Sequence, residues 1–218
     1  MNRLTALLQL SSPSLPVGAY SYSQGLESAI DAGLVHDEAS TGAWLQDSLE
    51  MVAARYEAPV WLRMFRALRI DDLAALENWN SEFLATRETA ELRAETIQMG
   101  YSLIRMMKSL DERFSYPMDP VGYPAAHAWV CTRWDIDETD GLTAYLYGWL
   151  ENQVMAALKT VPLGQSAGQR LLLTLRQSID RSIEIAQQMG DDELSTQTPM
   201  LAILSSQHET QYSRLFRS

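Results

Sequence analysis

The chain has 218 residues, 17 basic and 28 acidic side chains, and a formal net charge of −11. At 46% hydrophobic and 21% charged residues it has a globular composition, which excludes extensive disorder, and a chain of this length buries roughly 70% of its unfolded surface. One cysteine excludes an intramolecular disulfide and fits a reducing compartment, three histidines make a dedicated His/Cys metal cage a poor reading, and the acid excess argues against non-specific nucleic-acid binding.

Residues 3–10 read as a short amphipathic helix. The apolar stretch after Arg3 includes Thr5 and Gln9 and has no small-x-small cleavage pattern before Pro13, so it is not read as a signal peptide. Pro13 and Pro16 end that helix, and helix resumes over 22–32 with Gly33 at a C′ position. Asp37 is expected to cap a helix through 54, and Pro59 to begin the next, to about 68. Asp71 is expected to cap a helix to 85, after which Thr86 or Arg87 leads into a long helix ending near 110. Residues 112–123 are irregular, with Pro117, Pro120 and Gly122 followed by Pro124.

A short helix over 125–134 follows, then a long one over 138–160 capped by Asp137. Its stretch 141–158 is apolar nearly all round yet contains Glu151, Asn152 and Gln153, which suits a central buried helix and not a membrane span. Val161-Pro162-Leu163-Gly164 breaks the chain before Ser166 caps a helix to 189, where Leu172, Leu175, Ile179, Ile183 and Ala186 form one apolar stripe. Residues 190–199 form a loop, and 200–208 a last helix with a tail. With no β alternation, hairpin turn or internal repeat, the expectation is one all-α domain over 1–218, a bundle of about nine or ten helices around 141–158.

Catalytic signatures are missing. The turn Gly164 to Arg170 lacks the Gly-Lys-Ser/Thr ending and a preceding strand, so it is a helix–helix turn and not a P-loop, although free N–H groups there could hold an anion. No Gly-x-Ser-x-Gly elbow occurs, and no cysteine signature surrounds Cys131. His127 and Cys131 lie four apart on a helix and could supply two metal ligands, although Trp129, Val130 and Trp134 equally suggest a packed core. His208-Glu209 lacks the second histidine of a zinc-protease motif.

Acid concentrates in 71–95, 135–140 and 191–193, as solvated faces and caps or as a surface that steers a basic partner. Arg87 and Glu91 are spaced to pair on one helix face. Both ends carry residue types enriched at interfaces: Tyr20, Ser21, Tyr22, Gln24 and Glu27 near one, and His208, Glu209, Tyr212, Arg214, Leu215 and Phe216 near the other. They dock either on the chain's own core or on a partner.

Four segments, in order, resemble a known family. They are Leu15-Pro16-Val17-Gly18-Ala19-Tyr20-Ser21-Tyr22-Ser23-Gln24-Gly25-Leu26-Glu27; Arg87-Glu88-Thr89-Ala90-Glu91-Leu92-Arg93 with Met99-Gly100; Lys159-Thr160-Val161-Pro162-Leu163-Gly164-Gln165; and the run from His208 to Ser218. Together they resemble the urease accessory protein UreF family over essentially the full chain. That resemblance implies an all-α homodimer without catalysis or cofactor of its own. It implies action with the GTPase UreG and the scaffold UreD (UreH in some organisms), in a complex that delivers nickel to apo-urease and regulates the GTPase; the chain itself, with no signal-peptide pattern or membrane span, is read as cytoplasmic.

The resemblance also implies partner-binding roles for the N-terminal segment 1–25 and the C-terminal segment 200–218, and for Arg87, Glu88, Glu91 and Gln165 among the motif residues. It puts Ala19 where the family usually has a second glycine, so a positive φ there would strain the turn. If an arginine finger acts on the GTPase, Arg93, Arg170 and Arg214 are the possible donors. The alternative reading is a direct nickel carrier using His127, Cys131 and His208. No nucleic acid or membrane partner is expected.

Overall fold

A computed structural model describes residues 2–116, 118–196 and 198–218. Pro117 of the expected irregular stretch, Gln197 of the expected 190–199 loop and Met1 lie outside the described residues. Among those described there are ten α-helices and no strand: α1 Arg3–Leu10, α2 Leu26–Asp31, α3 Glu38–Asp47, α4 Ala58–Arg69, α5 Leu73–Ala85, α6 Ala90–Ser109, α7 Tyr123–Arg133, α8 Glu138–Thr160, α9 Gln165–Gln188 and α10 Pro199–His208. The protein is an all-α bundle. No helix among the described residues is long and apolar enough to cross a membrane.

Several boundaries follow from side chains that satisfy the free N–H groups of a first helical turn. Asn2 caps α1, Asp37 and Ser40 form a reciprocal capping box on α3, Thr89 caps α6, and Asp137 caps α8. Others differ from expectation. α2 is shorter than 22–32 because Gln24 and Gly25 both take left-handed φ, 51° and 81°, which interrupts helical hydrogen bonding. Gly33 at φ 72° does close that helix as expected. Asp71 adopts φ 57° and ends α4, leaving Asp72 to cap α5 through Ala75 N at 3.0 Å. Ser166 lies inside the first turn of α9, and Gly164 is the cap residue, with no side-chain bond.

The expected break before Pro59 does not occur. Helix continues from α3 through a π-helical stretch, Ser48–Glu57, straight into α4. There Ala58 N–H reaches back five residues to Ala53 O. Pro59 has no N–H for the Arg55 carbonyl four residues earlier, and that carbonyl instead accepts from Ser195 N at 3.2 Å. Wider π turns give the proline ring room without ending the helix.

α8 packs on α9, α4, α7, α3, α1 and α2, so it threads the bundle as its apolarity predicted, with Tyr147, Gly148, Trp149, Glu151 and Asn152 partly uncovered around the buried Leu150. α7 is enclosed more completely, with every residue from Pro124 to Cys131 buried. Close approach is enforced at Gly100, where an added Cβ would lie 2.3 Å from Val121 O. All five residues of the α9 stripe are buried. A smaller apolar cluster joins Leu26, Ala29, Val35, Ala156, Ala157, Val161, Leu204 and Phe216. It brings α2, the end of α8, α10 and the tail together, and the candidate site lies beside it.

Candidate functional site

The two ends named by the sequence meet in space. Ser23 N and Gln24 N donate to the Ser218 backbone oxygen at 2.7 and 3.1 Å, and Ser23 Oγ adds a third bond at 2.6 Å. The left-handed φ at Gln24 and Gly25 turns the chain sharply beside these two successive N–H groups, which suits an oxygen-binding concavity. Arg217 N donates to Ser21 O at 2.8 Å, and Asn152 Nδ2 on α8 donates to Ala19 O at 2.7 Å. Ala19 itself lies in a short 3-10 turn, Ala19–Ser21, while Gly18 before it carries the positive φ of 80°. The missing second glycine therefore strains nothing.

Three buried or half-buried carboxylates hold the segment after α10. Glu27 Oε1 accepts from Leu215 N at 2.7 Å and its Oε2 from Phe216 N at 3.0 Å. Glu91 accepts from Arg214 Nη1. Between these carboxylates lies His208, its side chain fully enclosed, with Nδ1 2.7 Å from Glu91 Oε2 and Nε2 3.2 Å from Glu27 Oε2. Glu209 reaches back to Glu91 N at 3.3 Å. One helical turn further along α6, Glu95 Oε1 accepts from Gln24 Nε2 at 2.6 Å and Oε2 from Ser218 Oγ at 2.7 Å. Gln24 Oε1 in turn accepts from Trp149 Nε1 at 2.5 Å.

Burial pushes the Glu95 carboxyl up to about 7, against the opposing hydrogen bonds from Ser218 and Gln24. Burial, and next the charge of Glu95, raises the Tyr22 hydroxyl above its ordinary range. Beneath this network lies a cavity of about 200 Å³ whose wall includes Gln24, Glu57, Arg87, Glu95, Tyr145 and Trp149.

The residues singled out from the sequence divide into two groups. Tyr22, Glu27, His208 and Phe216 are buried, and Ser21, Gln24, Arg87 and Glu91 are partly so. Tyr20, Glu88, Gln165, Glu209, Tyr212, Arg214 and Leu215 face solvent, with Tyr20 at 64% and Leu215 at 61% exposure. Docking on the chain's own core thus describes the first group. Gln165 begins α9 and belongs to neither carboxylate cluster. The expected Arg87–Glu91 pair does not form, because Arg87 precedes α6 and its Nη1 binds Glu57 Oε1 at 2.6 Å, its guanidinium 4.2 Å above the Phe83 ring.

Ser23, Glu95, Trp149, Asn152 and Ser218 were not singled out. The available signal was spacing: Glu91 and Glu95 lie four apart on α6, and Trp149 and Asn152 three apart on α8, so each pair shares a face.

The three residues of the nickel-carrier reading are not brought together. His127 and Cys131 are enclosed in α7, with Nδ1 and Sγ 3.7 Å apart and Trp61 Nε1 donating to that same Nδ1 at 3.2 Å. Trp61, Tyr123 and Tyr145 surround the ring, and burial pushes His127 down to about 3 and raises the Cys131 thiol. His208 stands instead between Glu27 and Glu91. Among the described residues no group of three His, Cys, Asp or Glu side chains is arranged to hold a metal ion.

Much of the acid has structural work. Asp137 and Asp140 pair with Arg3, Glu138 with Arg66 at 2.9 Å, and Asp191 with Arg63 at 2.6 Å. Two arginines considered as fingers are also engaged, Arg170 by Glu38 and Arg214 by Glu91, whereas Arg93 is exposed.

Comparison with known proteins adds family to fold. The family model described as UreF matches residues 35–176. The chain is 51% identical to the urease accessory protein UreF of Azoarcus sp. (strain BH72), covering 99% of this chain and 95% of that protein. It is 47% identical to the UreF of Cupriavidus necator, covering 100% and 99% of the two. It is also 50% identical to the bifunctional urease accessory protein UreEF of Bordetella bronchiseptica, over 99% of this chain and 52% of that longer protein. Both end segments, carrying the carboxylate clamps and the residues they hold, fall within these full-length matches, and the chain belongs to the UreF family of urease accessory proteins.

Proposed function

We propose that the chain is a non-catalytic adaptor in urease maturation, which acts in the cytoplasm as a homodimer with UreD (UreH) and the GTPase UreG to promote nickel insertion into apo-urease. The observation that carries this reading is the near-complete alignment at about half identity with proteins named urease accessory protein UreF. The bifunctional UreEF relative, in which a matching half is part of a longer accessory protein, supports work alongside other accessory components.

Within this reading the exposed rim of the end cluster, with Tyr20, Glu88, Glu209, Tyr212 and Leu215, contacts a partner, while Glu27, Glu91 and His208 set its shape from below. Aromatic and aliphatic side chains over a rigid polar base are the composition of interface anchors. Gln165, at the start of α9, belongs to a separate contact face. Any effect on GTP hydrolysis passes through the GTPase's own phosphate site, since this chain has no P-loop.

Co-purification with UreD and UreG tests the proposal, repeated after deletion of residues 208–218. Full-length protein is expected to join the complex and the truncated chain to fail. A full-length chain that joins neither partner removes the adaptor reading. Urease that is active in cells lacking the protein, without added nickel, removes the maturation role.

A further inference from the structure

Residues 209–218 form a strap across one end of the bundle, seated by α2, α6 and the turn before α2. The hydrogen-bond chemistry of its hinge is unusual. Glu27 receives two backbone N–H groups from the strap, one on each oxygen, and Glu91 receives Arg214. Both carboxylates are therefore occupied as acceptors. His208, the last residue of α10, presents Nδ1 to Glu91 and Nε2 to Glu27, at 2.7 and 3.2 Å.

A neutral imidazole carries one N–H and one lone pair, so it satisfies only one of those contacts. The other would set a lone pair against a carboxylate oxygen, in a place from which water is excluded. Both contacts are attractive only for the imidazolium, whose two N–H groups match the two acceptors.

We propose that one proton on His208 holds the strap closed, and that its loss frees residues 209–218 from their seat. Without that proton, Glu27 and Glu91 face each other across a neutral ring, and one of them loses its charged donor. A carboxylate left poorly paired in a buried place favours solvation, which the strap can provide only by lifting away.

The charged and titratable groups around the ring come from every neighbouring element. They are Glu27 of α2, Glu91 of α6 with Glu95 one turn beyond, and Glu209 and Arg214 of the strap. Further along, Lys159 of α8 sits over the Phe216 ring at 5.6 Å, and Arg217 lies beside Tyr22. This inference rests on the reading of the strap as a docking element: the seated strap sets the exposed rim with Tyr212 and Leu215, and release disperses that rim and unseats the buried Phe216.

The test uses the isolated full-length chain, so gating and docking fail separately. Trypsin cleavage after Arg214 is followed from pH 6 to pH 9 and normalised to a free peptide of residues 207–218. Closed straps resist cleavage, and the normalised rate is expected to rise about tenfold or more across this range, as proton linkage to a single site allows. His208→Gln, with one amide donor for two carboxylates, is expected to cleave rapidly throughout with a flat profile. If that variant does not fold, Glu91→Gln serves instead and also flattens the profile.

Glu95→Gln removes the other titrating group, a carboxyl, and is expected to keep the wild-type rise. Ring ¹⁵N shifts of His208 should show two N–H nitrogens wherever the strap is protected. A flat wild-type profile, a rise that persists in His208→Gln, a rise lost in Glu95→Gln, or one bare ring nitrogen in a protected strap each overturns the proposal. Partner co-purification is unaffected by those outcomes and tests docking alone.

Discussion

Glu95 is 5% exposed, and its carboxyl is held at about 7 instead of the ordinary 4.5. Between those values the unfolded chain releases a proton that the folded chain keeps. The associated stability is complete below pH 4.5, falls as pH rises through the window and is gone above about 7. A displacement of that size corresponds to roughly 3 kcal/mol.

Glu95→Gln removes the titration and keeps the network: the amide oxygen accepts from Gln24 Nε2, and the amide nitrogen donates to the Ser218 hydroxyl, which rotates to receive it. Urea unfolding of both proteins at pH 4.5 and pH 8 isolates the effect, because other carboxylates contribute equally to each. The variant is expected to gain about 3 kcal/mol on the wild type between the two pH values. Parallel stability curves would refute the account of Glu95 as a carboxylate whose burial outweighs its hydrogen bonds.

Other perturbations follow from the packing. Gly100→Ala places a methyl group 2.3 Å from Val121 O; a loss of about 1–3 kcal/mol is expected, and an unchanged urea midpoint would show that α6 and the segment just before α7 are not in close contact there. Arg87→Met leaves Glu57, whose side chain is 13% exposed, without its partner; about 3–5 kcal/mol should be lost and partly recovered in the double variant with Glu57→Gln, whereas additive losses would mean the pair is not coupled. Equilibrium dialysis with nickel should show no binding that depends on His127, because its ring is enclosed by Trp61, Tyr123 and Tyr145; micromolar binding abolished by His127→Ala would restore the carrier reading.

How legible the fold was depended on the range of the interactions involved. Asp37 and Asp137 were readable as caps because a cap bond spans two or three residues, and the α9 stripe because helical period converts directly into one buried face. Pro59 misled because its usual meaning, a helix start, assumes that a missing hydrogen bond ends the preceding helix. Here a carbonyl 140 residues away in sequence from its new donor, Arg55 O with Ser195 N, is satisfied across the fold. Asp71 and Ser166 misled on a smaller scale, since neighbouring residues competed for one cap and backbone conformation chose between them.

The candidate site divides in the same way. By itself the sequence determined the all-α class, the lack of a P-loop or nucleophile motif, the family resemblance and the interface-type composition of the two ends, all carried by local pattern. Only the tertiary structure decided that the ends seat against each other, that Glu91 serves His208 and Arg214 while Arg87 turns to Glu57, and that Glu95 lies uncharged-favouring and buried among them. Carboxylate identity is written in the chain, but whether a carboxylate caps a helix, pairs at the surface or clamps a strap depends on which distant donors the packing brings within about 3 Å.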